Sequence, residues 1–450
     1  MYKKIFLFSI SILISSVVAY AGHYEFAGDG ARSKAMGGAF VAIADDATAY
    51  SWNPAGMVLL KRPEMSYLAR MRGEQRYRQI YPCDPNQWET GKPTYVYTDW
   101  HDAIKFQESK EGSGGPQGDV RTINYVYPWK NMAIGFGTTG YEDYIEFRNS
   151  NQGGKGPVYL KNVGGKDIGL SWEDKREQEH YYSQPDFGAA FAFNLIRSLS
   201  FGFKVGIIPS IEQIGTNKSR EEYFPKLAQD GNTITNPFYN KTWFEKKPSL
   251  LSYSIGVLYR PVSGLSFGLV YKDFSSARME FDSWTKIDQN YYYPFHNDFD
   301  FKYPRFIGAG FAMRIRDVFT ISMQVNHIAY TQMDPDRTDN WVFEDAIEYH
   351  AGVEYLFFLG KKGEELILPL RFGYYLEPSA QDFYKFQRDQ NITGETAQDR
   401  TILGQKYGKD ADLHHITIGM GFSREQWSFD FALDICQRRF DVMFTPVLYF

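Results

Sequence analysis

Few residues in this chain have the types and spacing that chemistry requires. A serine hydrolase needs its nucleophile beside a positioned imidazole, and His414-His415 is the one pair of adjacent histidines. No serine motif accompanies it. Neighbours in an extended strand point to opposite faces, so His414 and His415 part company, with His415 turned inward. The run Asp334-Pro-Asp336-Arg-Thr-Asp339 gathers carboxylates suited to a hard cation. Asp339 stands where an EF-hand loop needs glycine, and Asp345 stands where it needs glutamate, so the run reads as a solvated loop. Cys83 and Cys436 are the two cysteines. One lies in a Pro-rich polar stretch and the other in an apolar strand; whether they pair is left open, and no Cys/His metal spacing surrounds either. No catalytic constellation, metal site or cofactor is expected. The net charge of −5, without a basic block, gives no reason to expect nucleic acid.

What the chain does carry is a period of two, the signature of strands with two different faces. Apolar or aromatic residues recur at every second position over 65–71, 123–129, 132–136, 187–195, 199–207, 251–259 and 265–271. The same alternation continues over 307–315, 319–325, 347–357, 366–376, 416–422, 427–435 and 442–450. The opposite face is polar or small, with Lys204, Lys272, Arg314, Gln324, Asn326, Glu348, His350, Glu354, Arg371, His415, Asp430 and Asp434. These sets predict fourteen strands, an even number as a single-chain barrel requires. Connections after even strands are short, whereas those near 72–119, 148–181, 210–249, 275–304, 328–345 and 378–411 are long and polar. Short turns on one side and long loops on the other are the habit of outer-membrane barrels. The 33 Tyr, 36 Phe and 9 Trp residues suit a membrane boundary or, equally, an aromatic core. Phe450 ends the last alternating segment as a barrel-closing strand would.

Lys3 and Lys4, the apolar run from Ile5 to Val18 and the stop at Ala19-Tyr20-Ala21 have the order of a secretory signal. The expected organisation is a signal peptide at 1–21, a non-strand segment at 22–60 and a barrel at 61–450. Residues 27–60 are rich in Ala and Gly and broken by Pro54. Two readings stand for them: a short-helical plug inside the barrel, or an ordinary N-terminal cap in which Asp45 or Asp46 starts a helix.

The run GGAFVAIADDATAYSWNPAG resembles the N-terminal hatch of the FadL/OmpP1/TodX family of outer-membrane transporters. The matching positions are Gly37, Gly38, Ala44, Asp45, Asp46, Ala47, Asn53, Pro54 and Ala55, with Gly56 completing the run. The resemblance implies an all-β, fourteen-stranded antiparallel barrel plugged by that hatch, in the bacterial outer membrane amid lipid and lipopolysaccharide. It further implies passive uptake of hydrophobic small molecules, such as long-chain fatty acids or aromatic hydrocarbons, without enzymatic activity. A third-strand kink is also implied. Gly135, Gly137 and Gly140 lie there and permit either a bend or close packing against the hatch. By position, Phe26, Phe40, Phe136 and Tyr141 are expected to touch the ligand. The external segments, such as Trp172 to His180, are polar and aromatic where fatty-acid members carry apolar loop helices. That keeps a second role open, as a binding or shuttle component of protein secretion with secretion partners on the loops.

Overall fold

The computed structural model describes residues 27–74, 78–79, 109–110, 117–163, 166–209, 219–223, 226–227, 236–246, 249–288, 291–333, 342–360, 366–378, 381–382, 412–436 and 439–450. The signal peptide, Phe26, Cys83 and the Asp334–Asp339 run lie outside them.

Every alternating segment becomes a strand. These are β1 (Glu64–Glu74), β2 (Gln117–Trp129), β3 (Met132–Val163), β4 (Lys166–Ile196), β5 (Leu199–Ile208), β6 (Leu250–Val262) and β7 (Leu265–Phe274). The second half is β8 (Phe306–Ile315), β9 (Phe319–Ile328), β10 (Ala346–Leu359), β11 (Leu366–Glu377), β12 (Leu413–Arg424), β13 (Trp427–Ile435) and β14 (Arg439–Tyr449). Each pairs antiparallel with its neighbours in sequence. The last meets the first through Glu64↔Tyr449 to Glu74↔Arg439. The ring closes as a 14-stranded barrel, with three two-residue strands attached at its rim. Beside the seam, the Phe450 amide donates to the Pro63 carbonyl at 3.0 Å.

The two faces are inverted relative to a water-soluble sheet. Outward residues such as Ile123, Phe203, Ile255, Leu269, Met323, Phe372 and Ile418 are exposed, whereas Lys204, Gln324, Glu354, Arg371, His415 and Asp434 are buried. β5 has ten residues; at about 3.4 Å per residue and a tilt of roughly 45°, it covers about 24 Å of apolar band. A wall with that band outside and polar groups inside is built to stand in lipid.

Three expected loops instead contain strands. The polar segment 148–181 continues β3 and β4 as one long hairpin, paired from Asp143↔Ser183 through Val163↔Lys166. The segments near 210–249 and 275–304 contribute a four-stranded sheet of Ser219–Tyr223, Asn236–Lys246, Ala277–Asp288 and Tyr291–Phe301. Their composition reads as loop because neither face there needs a continuous apolar set; the ladder itself sustains them.

The hatch occupies the lumen, so the plug reading holds over the cap reading. It comprises α1 (Ala31–Ala35), α2 (Ala49–Trp52) and a 3-10 turn (Pro54–Leu59). Trp52, Tyr50, Phe40, Met36 and Met57 are fully buried. Inward glycines on the wall let the hatch backbone come this close. A Cβ at Gly202 would strike Pro54 and Ala55, one at Gly268 the Val41 carbonyl, and one at Gly352 the Met36 carbonyl.

Candidate ligand path and its hatch

The hatch motif is fastened to the wall by charge. Arg32 of α1 meets Asp45 at 2.6 Å, Asp46 at 3.1 Å and Glu354 of β10 at 3.1 Å. Asp45 reaches Arg314 of β8 at 3.2 Å. Glu354 is held from behind by Arg371 of β11 at 2.7 Å, which also grips Asp430 of β13. Burial pushes the Asp45 carboxyl up, but the guanidinium groups of Arg32 and Arg314 outweigh it and hold the group below its ordinary value. For Asp46, burial and the Asp45 charge prevail over Arg32 and raise the group. Asp46 also accepts the Thr48 amide at 2.9 Å and so shapes the turn into α2.

Asn53 and Pro54 act together. The Asn53 side chain accepts the Ala55 amide at 3.1 Å, capping the 3-10 turn that Pro54 begins. Its amide group donates to the carbonyls of Val41 at 2.9 Å and Val257 of β6 at 3.2 Å, tying hatch to wall. Gly37 and Gly38 follow α1 at φ 62° and 71°, where a side chain is strained. A Cβ at Gly37 would also meet the Ala351 carbonyl at 2.5 Å. Gly56 lies against the Ala44 carbonyl with no room for a Cβ.

At the long-loop end, the inner wall turns apolar. Ile208 ends β5, Leu250 begins β6, Phe274 ends β7 and Phe306 begins β8. With Tyr303 and Tyr330 they are buried in one cluster with Phe40, Tyr50 and Trp52 of the hatch. The Phe274 and Tyr303 rings lie 5.2 Å apart. This collar is a packed apolar layer that joins the upper wall to the hatch.

The wall itself is incomplete on one side. β2 and β3 pair from Trp129↔Met132 to Asn124↔Gly137 and no further. Beyond that point β2 stays with β1, through Ile123↔Tyr67 to Gln117↔Arg72, while β3 stays with β4. The register of β3 on β4 slips between Gly140 and Asp143. A slot therefore opens between β2 and β3, closed again farther out where Ser109–Lys110 pairs with Asn151–Gln152. At its base the Ile123 amide donates to the Thr138 hydroxyl at 3.0 Å, a side chain replacing a ladder carbonyl. The Asn124 amide group, turned to donate, reaches the carbonyls of Ile123 and Thr138 at 3.2 Å each.

The residues named from sequence are distributed unevenly over this arrangement. Of the third-strand glycines, Gly135 and Gly137 sit in regular pairing, and only Gly140 borders the slip. A Cβ at Gly135 would come within 2.7 Å of Met57 Sδ, so Gly135 serves close packing. Phe40 is enclosed in the hatch, 5.8 Å from Trp52. Phe136 is a correction: it is 56% exposed on the outer face, because even positions of β3 point to lipid, and it lines no interior surface. Tyr141 lies on β3, with its side chain outside the described residues, as are those of Trp172–His180. Cys436 is buried. His415 does point inward, meeting Asp434 at 2.8 Å and stacking on Tyr375 at 4.0 Å. Sequence reasoning missed the collar, whose members are strand-end residues from separate segments, and missed Asp29, described below.

The whole arrangement is similar to solved structures. It matches the toluene transporter TodX of Pseudomonas putida with a TM-score of 0.55 and 13% identity, covering 95% of this chain and 99% of that one. It matches the monoaromatic hydrocarbon channel CymD at 0.52 and 11%, covering 95% and 99%. A Pseudomonas aeruginosa FadL homologue matches at 0.53 and 9%, covering 96% and 99%. At these identities the likeness is one of fold, and it extends over nearly the full length of each chain. No protein-family profile matches the chain, and no curated protein matches it by sequence.

Proposed function

We propose that this chain is an outer-membrane channel for passive, non-enzymatic uptake of hydrophobic small molecules, monoaromatic hydrocarbons or long-chain fatty acids. The observation that carries the reading is the slot between β2 and β3, at the level where the hatch seals the lumen. A hydrophobic ligand gains little from a polar lumen, and burial against an apolar surface is its favourable step. The collar at the loop end would offer that surface once its packed side chains part around a ligand. The hatch blocks the straight way down, and the slot leads sideways into lipid. The fold shared with TodX, CymD and the FadL homologue supports the same assignment, and the mature chain would begin after residues 1–21 are removed. Collar and slot favour this role over the protein-secretion role.

The test is uptake of radiolabelled toluene and oleate by cells that carry this chain as their one channel of the kind. Uptake of at least one above the empty control is expected. Replacing Asn53 and Pro54 by Ala should alter that uptake while the barrel still assembles. No uptake of either compound by the assembled protein contradicts the reading.

A further inference from the structure

Past the last paired step of β2 and β3, the slot edge of β3 is met by the hatch. A two-residue turn, Lys130-Asn131, joins β2 to β3. That turn makes Trp129 and Met132 a hydrogen-bonded pair, so even-numbered residues of β3 aim their N–H and C=O groups at β2. Thr138 and Gly140 are the first even residues past the last paired step, Asn124↔Gly137. Lipid-facing backbone cannot be left without partners. Thr138 is served by the side chain of Asn124. Gly140 donates its amide to Asp29 Oδ2 of the hatch, at 3.4 Å.

Asp29 is itself firmly placed. It is 1% exposed. Its amide donates to Ser51 Oγ at 3.2 Å, and its carbonyl accepts the Trp52 indole N–H at 3.0 Å. On either side, Lys272 of β7 binds the carbonyls of Ala27 and Ser51, both at 2.6 Å. A second hatch residue, Tyr50, donates its hydroxyl to the Gly137 carbonyl at 3.1 Å. The two bonds bracket Gly137 to Gly140, the Tyr50 bond on the β4 side of β3 and the Asp29 bond on the slot side.

We propose that Asp29 is a positioning residue that holds the β3 edge of the slot apart from β2, so that any movement of the first hatch residues is felt at the slot. The carboxylate meets the Gly140 amide in the direction in which regular pairing would place β2. When Asp29 moves with its segment, Gly140 loses that bond, and the slot edge is held less firmly. This deepens the uptake reading, on which the slot's role as an exit rests, but the coupling is a property of the wall and can be measured without transport.

The experiment is hydrogen exchange of the full chain in nanodiscs, read by mass spectrometry over residues 138–143, for the parent, Asp29→Ala and Asp29→Asn. Asp29→Ala should speed exchange at Gly140 by about five-fold, the effect of losing one ordinary hydrogen bond of about 1 kcal/mol. Asp29→Asn, whose amide oxygen still accepts, should fall between. Exchange in β7 to β9 should not change. Should Asp29→Ala fail to assemble, Asp29→Asn alone must still show faster exchange than the parent. Unchanged exchange over 138–143 in either assembled variant overturns the proposal, as does an equal rise throughout the barrel. Uptake is measured alongside. Coupling without uptake leaves the proposal standing and removes the transport reading, while uptake without coupling does the reverse.

Discussion

Glu354 sits between two arginines from different parts of the chain, Arg32 of the hatch and Arg371 of the wall. Its carboxylate is the one these two guanidinium groups share, beside Asp45 and Asp46 on Arg32 and Asp430 on Arg371. Replacing one partner of such a buried set costs more than the set contributes, because the remaining charges lose compensation. Glu354→Ala is therefore expected to lower the unfolding free energy by about 3 kcal/mol, the lower end for a broken buried pair. Denaturant unfolding in detergent micelles checks this, with Glu354→Gln in between because it still accepts hydrogen bonds. At this scale the sequence was half legible. Asp45, Asp46, Asn53 and Pro54 stand out as a motif, and the polar inner face was read correctly at Glu354 and Arg371. Which polar residue meets which could not be read, since the Arg32–Glu354 contact spans 322 residues and depends on where the hatch comes to rest. Phe136 shows the same limit. Its type fitted a ligand contact, but its parity on β3 decided the matter.

The elements were legible wherever one face meets lipid. There, alternation is enforced on every second residue, and each predicted segment forms a strand. Beyond the lipid the rule lapses, which is why 148–181 reads as loop yet continues β3 and β4. The hatch shows a different grammar. Its small residues are complemented by inward glycines on the wall, and the sequence shows each half of that match without the pairing. Gly268 is one such case, because its missing Cβ leaves room for the Val41 carbonyl. Gly268→Val should cost about 1–3 kcal/mol as an overpacked contact, and the strain should fall on the hatch, since the ladder holds β7 on both sides. Limited proteolysis should cut the variant near residues 40–44 while the barrel keeps its heat-modifiable mobility. A hatch as protected as the parent's would show that the wall gives way instead.

At the scale of the whole molecule, three features act in series: an apolar collar at the loop end, a hatch fixed by charge across the lumen, and a slot between β2 and β3 beside it. The ring closes between β1 and β14, next to Phe450, so the slot is no failure of closure; it lies where β2 and β3 follow different partners. On the proposed function, an apolar ligand crosses from collar to lipid through that slot. This crossing is tested most directly by photolabelling the membrane-embedded protein with a diazirine-bearing aromatic hydrocarbon and mapping the adducts by mass spectrometry. Adducts concentrated on Phe274, Tyr303 and Phe306 and on the slot edges at 117–124 and 138–143 are the predicted result. Adducts spread evenly around the outer band, or gathered in the lumen at the short-turn end, would contradict it.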